Sequence, residues 1–79
     1  MDFDLAPLPV TQDQILGLIG ELPTGYRTVF NLYVFEEYSH KEICRQLNCT
    51  ESTSKSQLSK ARAVLRSKIY ETVNIFNSR

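Results

Sequence analysis

Side chains able to make or break covalent bonds are scarce here: one histidine, His40, and two cysteines, Cys44 and Cys49, among 79 residues. No Cys-x-x-Cys pair accompanies them, so a structural zinc or other metal site is not expected. Gly17, Gly20 and Gly25 are scattered through helix-like sequence and form no phosphate-cradling loop. Lacking a nucleophile–base pair or a metal set, the chain is not read as an enzyme, and no cofactor is expected. A different chemistry is on offer. Ser52, Lys55, Ser56, Ser59, Lys60, Arg62 and Arg66 crowd into residues 52–66. They combine short hydroxyls with cations, the side chains that read base edges and neutralise phosphates.

The charge distribution points the same way. Nine basic and nine acidic residues cancel to zero, but the cancellation is between unequal halves. Residues 1–38 carry Asp2, Asp4, Asp13, Glu21, Glu36 and Glu37 against Arg27, a net of −5. Residues 39–79 carry Lys41, Arg45, Lys55, Lys60, Arg62, Arg66, Lys68 and Arg79 against Glu42, Glu51 and Glu71, a net of +5. A chain polarised in this way can turn its basic half to a polyanion while the molecule stays neutral. No window approaches the roughly 20 apolar residues of a membrane span. The acidic start Met1-Asp2-Phe3-Asp4 has the wrong sign for a secretory signal. A cytoplasmic location with reduced thiols is the expectation.

Helices must position these residues, because apolar side chains recur at three- and four-residue steps and strand-like alternation is absent. Residues 1–10, with Pro7 and Pro9, read as an irregular tail, and 11–79 as one all-α domain of four helices. Helix one is expected over about Gln12–Leu22, capped by Thr11 and stopped by Pro23, with Ile15, Leu18, Ile19 and Leu22 facing inward. Helix two spans about Thr24–Phe35 and buries Tyr26, Val29, Phe30, Tyr33 and Val34. Ser39-His40-Lys41-Glu42 is a capping box that opens helix three, whose core stripe is Ile43 and Leu47. Asn48 ends it in the left-handed conformation. Thr50 caps helix four, whose inner row is Ser54, Leu58, Ala61, Leu65, Ile69, Thr72, Val73 and Phe76. Beyond Ile69, Tyr70, Val73, Ile75 and Phe76 form a hydrophobic tail free to fold back, dimerise or bind a partner.

A short capped helix, a three-residue turn and a second capped helix make a helix-turn-helix. With Leu58 as the centre of the inner face, Ser52, Lys55, Ser56 and Ser59 lie about 60–160° away on one flank. Arg62 and Arg66 continue toward its border, and Lys60 reaches out sideways. Serines are short enough to admit base edges, and lysines attract phosphates. The start of helix three, at Ser39, His40 and Lys41, offers backbone N–H groups to a phosphate. His40 also reads as a simply exposed first-turn residue, and the cationic flank as a solvated helix face. Arg27 is expected to brace the fold by pairing with Glu42 or Glu37.

Three linked blocks resemble a known family. Leu22-Pro23-Thr24-Gly25-Tyr26-Arg27-Thr28-Val29-Phe30-Asn31-Leu32-Tyr33 is followed by Tyr38-Ser39-His40-Lys41-Glu42-Ile43. Then comes Thr53-Ser54-Lys55-Ser56-Gln57-Leu58-Ser59-Lys60-Ala61-Arg62. Over about residues 12–70 this is similar to region 4 of sigma-70-type factors of the extracytoplasmic-function (ECF) group, with a Bacteroidetes-like flavour. The resemblance implies a winged-helix-like architecture without the wing. It also implies that the domain docks on the β flap of RNA polymerase and reads the −35 element of double-stranded promoter DNA. By position, Lys55, Ser56 and Ser59 match base-facing places, Lys60 a phosphate contact, and Ser39–Lys41 the phosphate-facing helix start. Ser52 replaces a common glycine and adds a hydroxyl near the DNA side.

Departures from the pattern are visible as well. Asn48 stands for the usual turn glycine, and Glu37 stands for the glycine that often precedes the tyrosine, which is unremarkable on a surface loop. Cys44 and Cys49 take small apolar places and read as buried hydrophobes. Region 2 is absent from these residues, which suggests an excised C-terminal domain with Met1 as an added start. Two alternatives are carried forward: a module that binds an anti-sigma factor, and the DNA-binding domain of a LuxR-type regulator.

Overall fold

The computed structural model describes residues 10–77, with side chains as far as residue 73. The expected tail before Val10 and the side chains of Ile75 and Phe76 lie outside the described residues. Four helices follow in order: α1 (Gln12–Gly20), α2 (Thr24–Val34), α3 (His40–Leu47) and α4 (Glu51–Asn77). No strand occurs among the described residues, so the architecture is all-α as expected.

Each helix starts where a side chain or a proline accounts for its first amides. The Thr11 hydroxyl accepts from Gln14 N–H at 3.1 Å, and the Gln14 amide oxygen accepts from Thr11 N–H at 2.8 Å. Ser39 and Glu42 repeat this reciprocal pair at α3, with the same two distances of 2.8 and 3.1 Å. Thr50 Oγ1 accepts from Thr53 N–H at 3.0 Å and opens α4. Pro23 precedes α2 and makes no side-chain cap. Its ring suits a chain turning into a helix.

The ends also have local causes. α1 stops at Gly20, short of the expected Leu22, because Glu21 and Leu22 N–H bond three residues back to Leu18 and Ile19 carbonyls. That tighter turn brings Leu22 into the core before Pro23. Asn48 takes the left-handed conformation at φ 56° and ψ 50°, and Cys49 N–H bonds to Cys44 O at 3.0 Å. Glu37 is left-handed too, at φ 58°. This corrects the view of Glu37 as unremarkable: the position asks for glycine, and a β-carbon there is strained.

α4 is the spine and packs against each of the other three helices. Its 27 residues span about 40 Å, which gives the molecule its extents of 47 × 19 × 17 Å. Ser54, Leu58, Ala61, Leu65 and Ile69 are buried along one row of α4. They meet Ile15 and Ile19 of α1, Leu22 of the following turn, Val29 and Phe30 of α2, and Ile43 of α3. Val10 and Val73 pack on the edge of this core.

Several inward assignments need correcting. Leu47 is 39% exposed, so α3 buries Ile43 alone. Tyr26, Tyr33 and Val34 are half-buried at the core's margin. Cys44 and Cys49 are half-buried free thiols rather than fully covered. Arg27 does brace the fold, but its guanidinium donates to Gly20 O at 2.9 Å, not to Glu42 or Glu37. It thereby satisfies a carbonyl at the negative end of α1, closer at hand than either carboxylate. Lys68 of α4 meets Glu21 at 3.3 Å, an exposed pair of small energetic weight.

Candidate nucleic-acid interface

α4 separates its residues by face. While the inner row is covered, Ser52, Lys55, Ser56 and Ser59 are all exposed. The 3.6-residue period places them together on one flank. Lys60 and Arg66 are exposed as well. Among the described residues this flank stays open, its hydroxyls and ammonium groups exposed to solvent. Its surface can approach a duplex closely.

α3 brings up the second part. Ser39 and Lys41 are exposed at its start, which is held beside the first turn of α4 by the 2.9 Å approach of His40 Nδ1 to Ser54 Oγ. The capping box has already engaged two of the amides there, those of Ser39 and Glu42. The amides of His40 and Lys41 fall outside that reciprocal pair. A phosphate would approach beside the Glu42 carboxylate. The Ser39 backbone N–H, helped by the Ser39 hydroxyl and the Arg45 guanidinium, holds that carboxylate below its ordinary range against a slight opposing desolvation. Glu42 is therefore ionised at neutral pH, and Lys41 must offset it for a phosphate to sit there.

Two of the expected contact residues lie differently from the rest. His40 is half-buried, not a freely exposed first-turn residue. Its Nδ1 is 2.9 Å from Ser54 Oγ, and its ring stacks on Tyr33 with centroids 4.7 Å apart and planes at 23°. Arg62 is also half-buried, its guanidinium carbon 5.8 Å from the centroid of the same Tyr33 ring. Both residues thus face inward toward α2 as well as standing near the interface. Tyr33 and Ser54 had been read only as core positions. The signal that marked Ser54 was a hydroxyl standing in an otherwise apolar row.

Residues 12–65 match the family described as Sigma-70, region 4. The chain belongs to the sigma-70 region 4 family. That span runs from the first residue of α1 into α4 as far as Leu65, so that Arg66 lies just beyond it. That family is one of DNA-binding domains, and the match sides with the sigma reading against the LuxR-type alternative. Among curated proteins the region 4 domain is similar to the ECF RNA polymerase sigma factor SigM of Bacillus subtilis (strain 168), with 33% identity over 63 residues. The aligned part covers 80% of this chain and 39% of the relative, so the chain spans well under half of that protein's length. No solved structure matches the chain significantly. No helix among the described residues is long and apolar enough to cross a membrane.

Proposed function

We propose that this region 4 domain reads the −35 element of promoter DNA for an ECF sigma factor while docked on RNA polymerase. The observation that carries the reading is the exposed flank Ser52, Lys55, Ser56 and Ser59 on a helix whose opposite face is locked into the core. A helix fixed on one side and small, polar and cationic on the other suits the major groove. Lys41 and Lys60 supply phosphate attraction at either side of that flank, joined by Ser39 and, where their inward contacts permit, His40 and Arg62.

Polymerase docking falls to the acidic half. Leu16 of α1 is 48% exposed, and Phe35 at the end of α2 is 51% exposed. They offer apolar contact to the β flap on surfaces where Asp13, Glu36 and Glu37 discourage approach to DNA. An anti-sigma factor would compete for the same exposed apolar side chains. The exposed Tyr70 of α4 belongs to that set.

Duplex selection with the 79-residue chain, followed by titration of the selected duplex against a scrambled one at several salt concentrations, tests the DNA reading. Sequence-ranked binding that weakens steeply with salt is expected. Changing Lys55 or Ser56 should shift the preferred sequence. Changing Lys41 or Lys60 should weaken all duplexes alike and lower the salt slope by about one each. Absence of any duplex binding at low salt would remove the reading.

A further inference from the structure

Ser54 is the one polar side chain in the buried set of the described residues, and it is fully covered. It occupies the first place in the inner row that continues through Leu58, Ala61, Leu65 and Ile69. The chain therefore keeps a hydroxyl where an aliphatic side chain would pack. That hydroxyl meets His40 Nδ1 at 2.9 Å, and His40 is the first residue of α3. Tyr33 of α2 stacks on His40 at 4.7 Å and also faces Arg62, two turns along α4. Three helices thus meet at one polar cluster, immediately behind the flank that begins with Ser52 and Lys55.

We propose that the His40–Ser54 bond is a positioning contact that sets the register of α3 on α4. It thereby sets the spacing between the phosphate-facing start of α3 and the base-facing flank of α4. The proposal rests on the DNA-binding reading given above for its functional consequence, but the positioning itself does not require DNA.

The physical case starts from the apolar side chains that α3 buries. Its eight residues bury only Ile43, while Leu47 leans out at 39% exposure. Apolar contact is non-directional, so one aliphatic side chain permits α3 to slide or rotate slightly on α4 at small cost. A hydrogen bond is directional and short. Any shift that lengthens it beyond bonding distance leaves a fully buried hydroxyl unsatisfied. Stacking of the His40 ring on Tyr33 restricts the imidazole plane and so defines where Ser54 must stand. Replacing both partners of such a pair by apolar groups can leave stability nearly intact, which separates positioning from mere stabilisation.

The test compares the full chain with Ser54→Val, His40→Asn and the double variant Ser54→Val/His40→Leu. Each is read by thermal melting, by affinity for a selected and a scrambled duplex, and by residual dipolar couplings that report the α3–α4 angle without DNA. Ser54→Val should change the angle and lower the selected-to-scrambled ratio by roughly tenfold, the size of one lost base contact. His40→Asn sets an amide where Nδ1 stood, so it should keep the angle and most of the ratio, whatever it does to overall affinity. The double variant should melt near the parent temperature yet show the altered angle and the reduced ratio. It also carries the test if Ser54→Val alone does not fold.

An unchanged angle in the folded double variant overturns the positioning contact, as does a ratio within about twofold of the parent in a protein that binds DNA. A parent chain that binds no duplex at all overturns the DNA-binding reading instead. The dipolar couplings then decide the positioning contact by themselves.

Discussion

The two faces of α4 divide the work of the domain. On the inner face, Leu58, Ala61, Leu65 and Ile69 are packed against all three other helices. On the outer flank, Ser52, Lys55, Ser56 and Ser59 stand in solvent. The difference teaches that stability and recognition are carried by the same helix but by residues only one or two places apart. Burial ties a side chain to many neighbours, so altering it is costly. An exposed lysine has few ties and is free to serve a ligand. Ser54 is the exception: it lies on the inner face yet is polar, and it answers to α3 rather than to the apolar core.

Changes on the two faces should therefore have opposite signatures. Leu65 is fully buried at the centre of the row, and Leu65→Ala should cost about 2–5 kcal/mol in urea unfolding, enough to threaten folding of a domain this small. A cost under about 1 kcal/mol would break the division.

Ser39→Ala removes one half of the α3 capping box and should cost about 1 kcal/mol. The same box carries a pH signature. The folded-state pKa of Glu42 is lowered from 4.5. Its contribution is therefore complete above the unfolded value and disappears as pH falls through the lower folded one. Melting curves between neutral pH and pH about 3 should show this loss, and Glu42→Gln should flatten that part of the profile. The box at α1 uses neutral Gln14 with the same distances and should contribute no such acid dependence.

Glu37→Gly relieves the left-handed strain and should stabilise the domain by about 0.5–1 kcal/mol, read as a higher melting temperature. The smallest effect on stability belongs to the outer flank. Lys55→Gln should move unfolding by less than about 0.5 kcal/mol while altering duplex preference. A large stability loss there would show that the flank is part of the fold rather than an open surface.

Much of the fold was legible in the chain because short-range rules govern it. Capping residues announced the starts of α1, α3 and α4, and the 3.6-residue period named the inner row of α4 in order from Ser54 to Ile69, beyond which Thr72 and Val73 are only half-buried. Asn48 was expected to be left-handed, and it is. The errors fall where geometry, not residue type, decides the outcome. Arg27 could reach several acceptors, and the course of the chain between α1 and α2 put Gly20 O in range. Leu47 has the right spacing for a core position, yet no neighbouring helix covers it fully and it is exposed. The strain at Glu37 escaped notice because residue type alone does not reveal φ, although the glycine common at that place was a clue.

By itself the sequence determined four helices, a helix-turn-helix, a basic half set apart from an acidic one, and an exposed polar flank. Helical periodicity and charge are properties of neighbours along the chain and need no third dimension. The tertiary structure alone decided which cations remain open. Lys41, Lys55 and Lys60 stay in solvent, whereas Arg62 turns to Tyr33 and His40 to Ser54. Those contacts join α2, α3 and α4 across 14 residues between His40 and Ser54 and 29 between Tyr33 and Arg62. Only packing sets such distances, because a hydrogen bond or a stacked ring depends on where a second helix comes to rest.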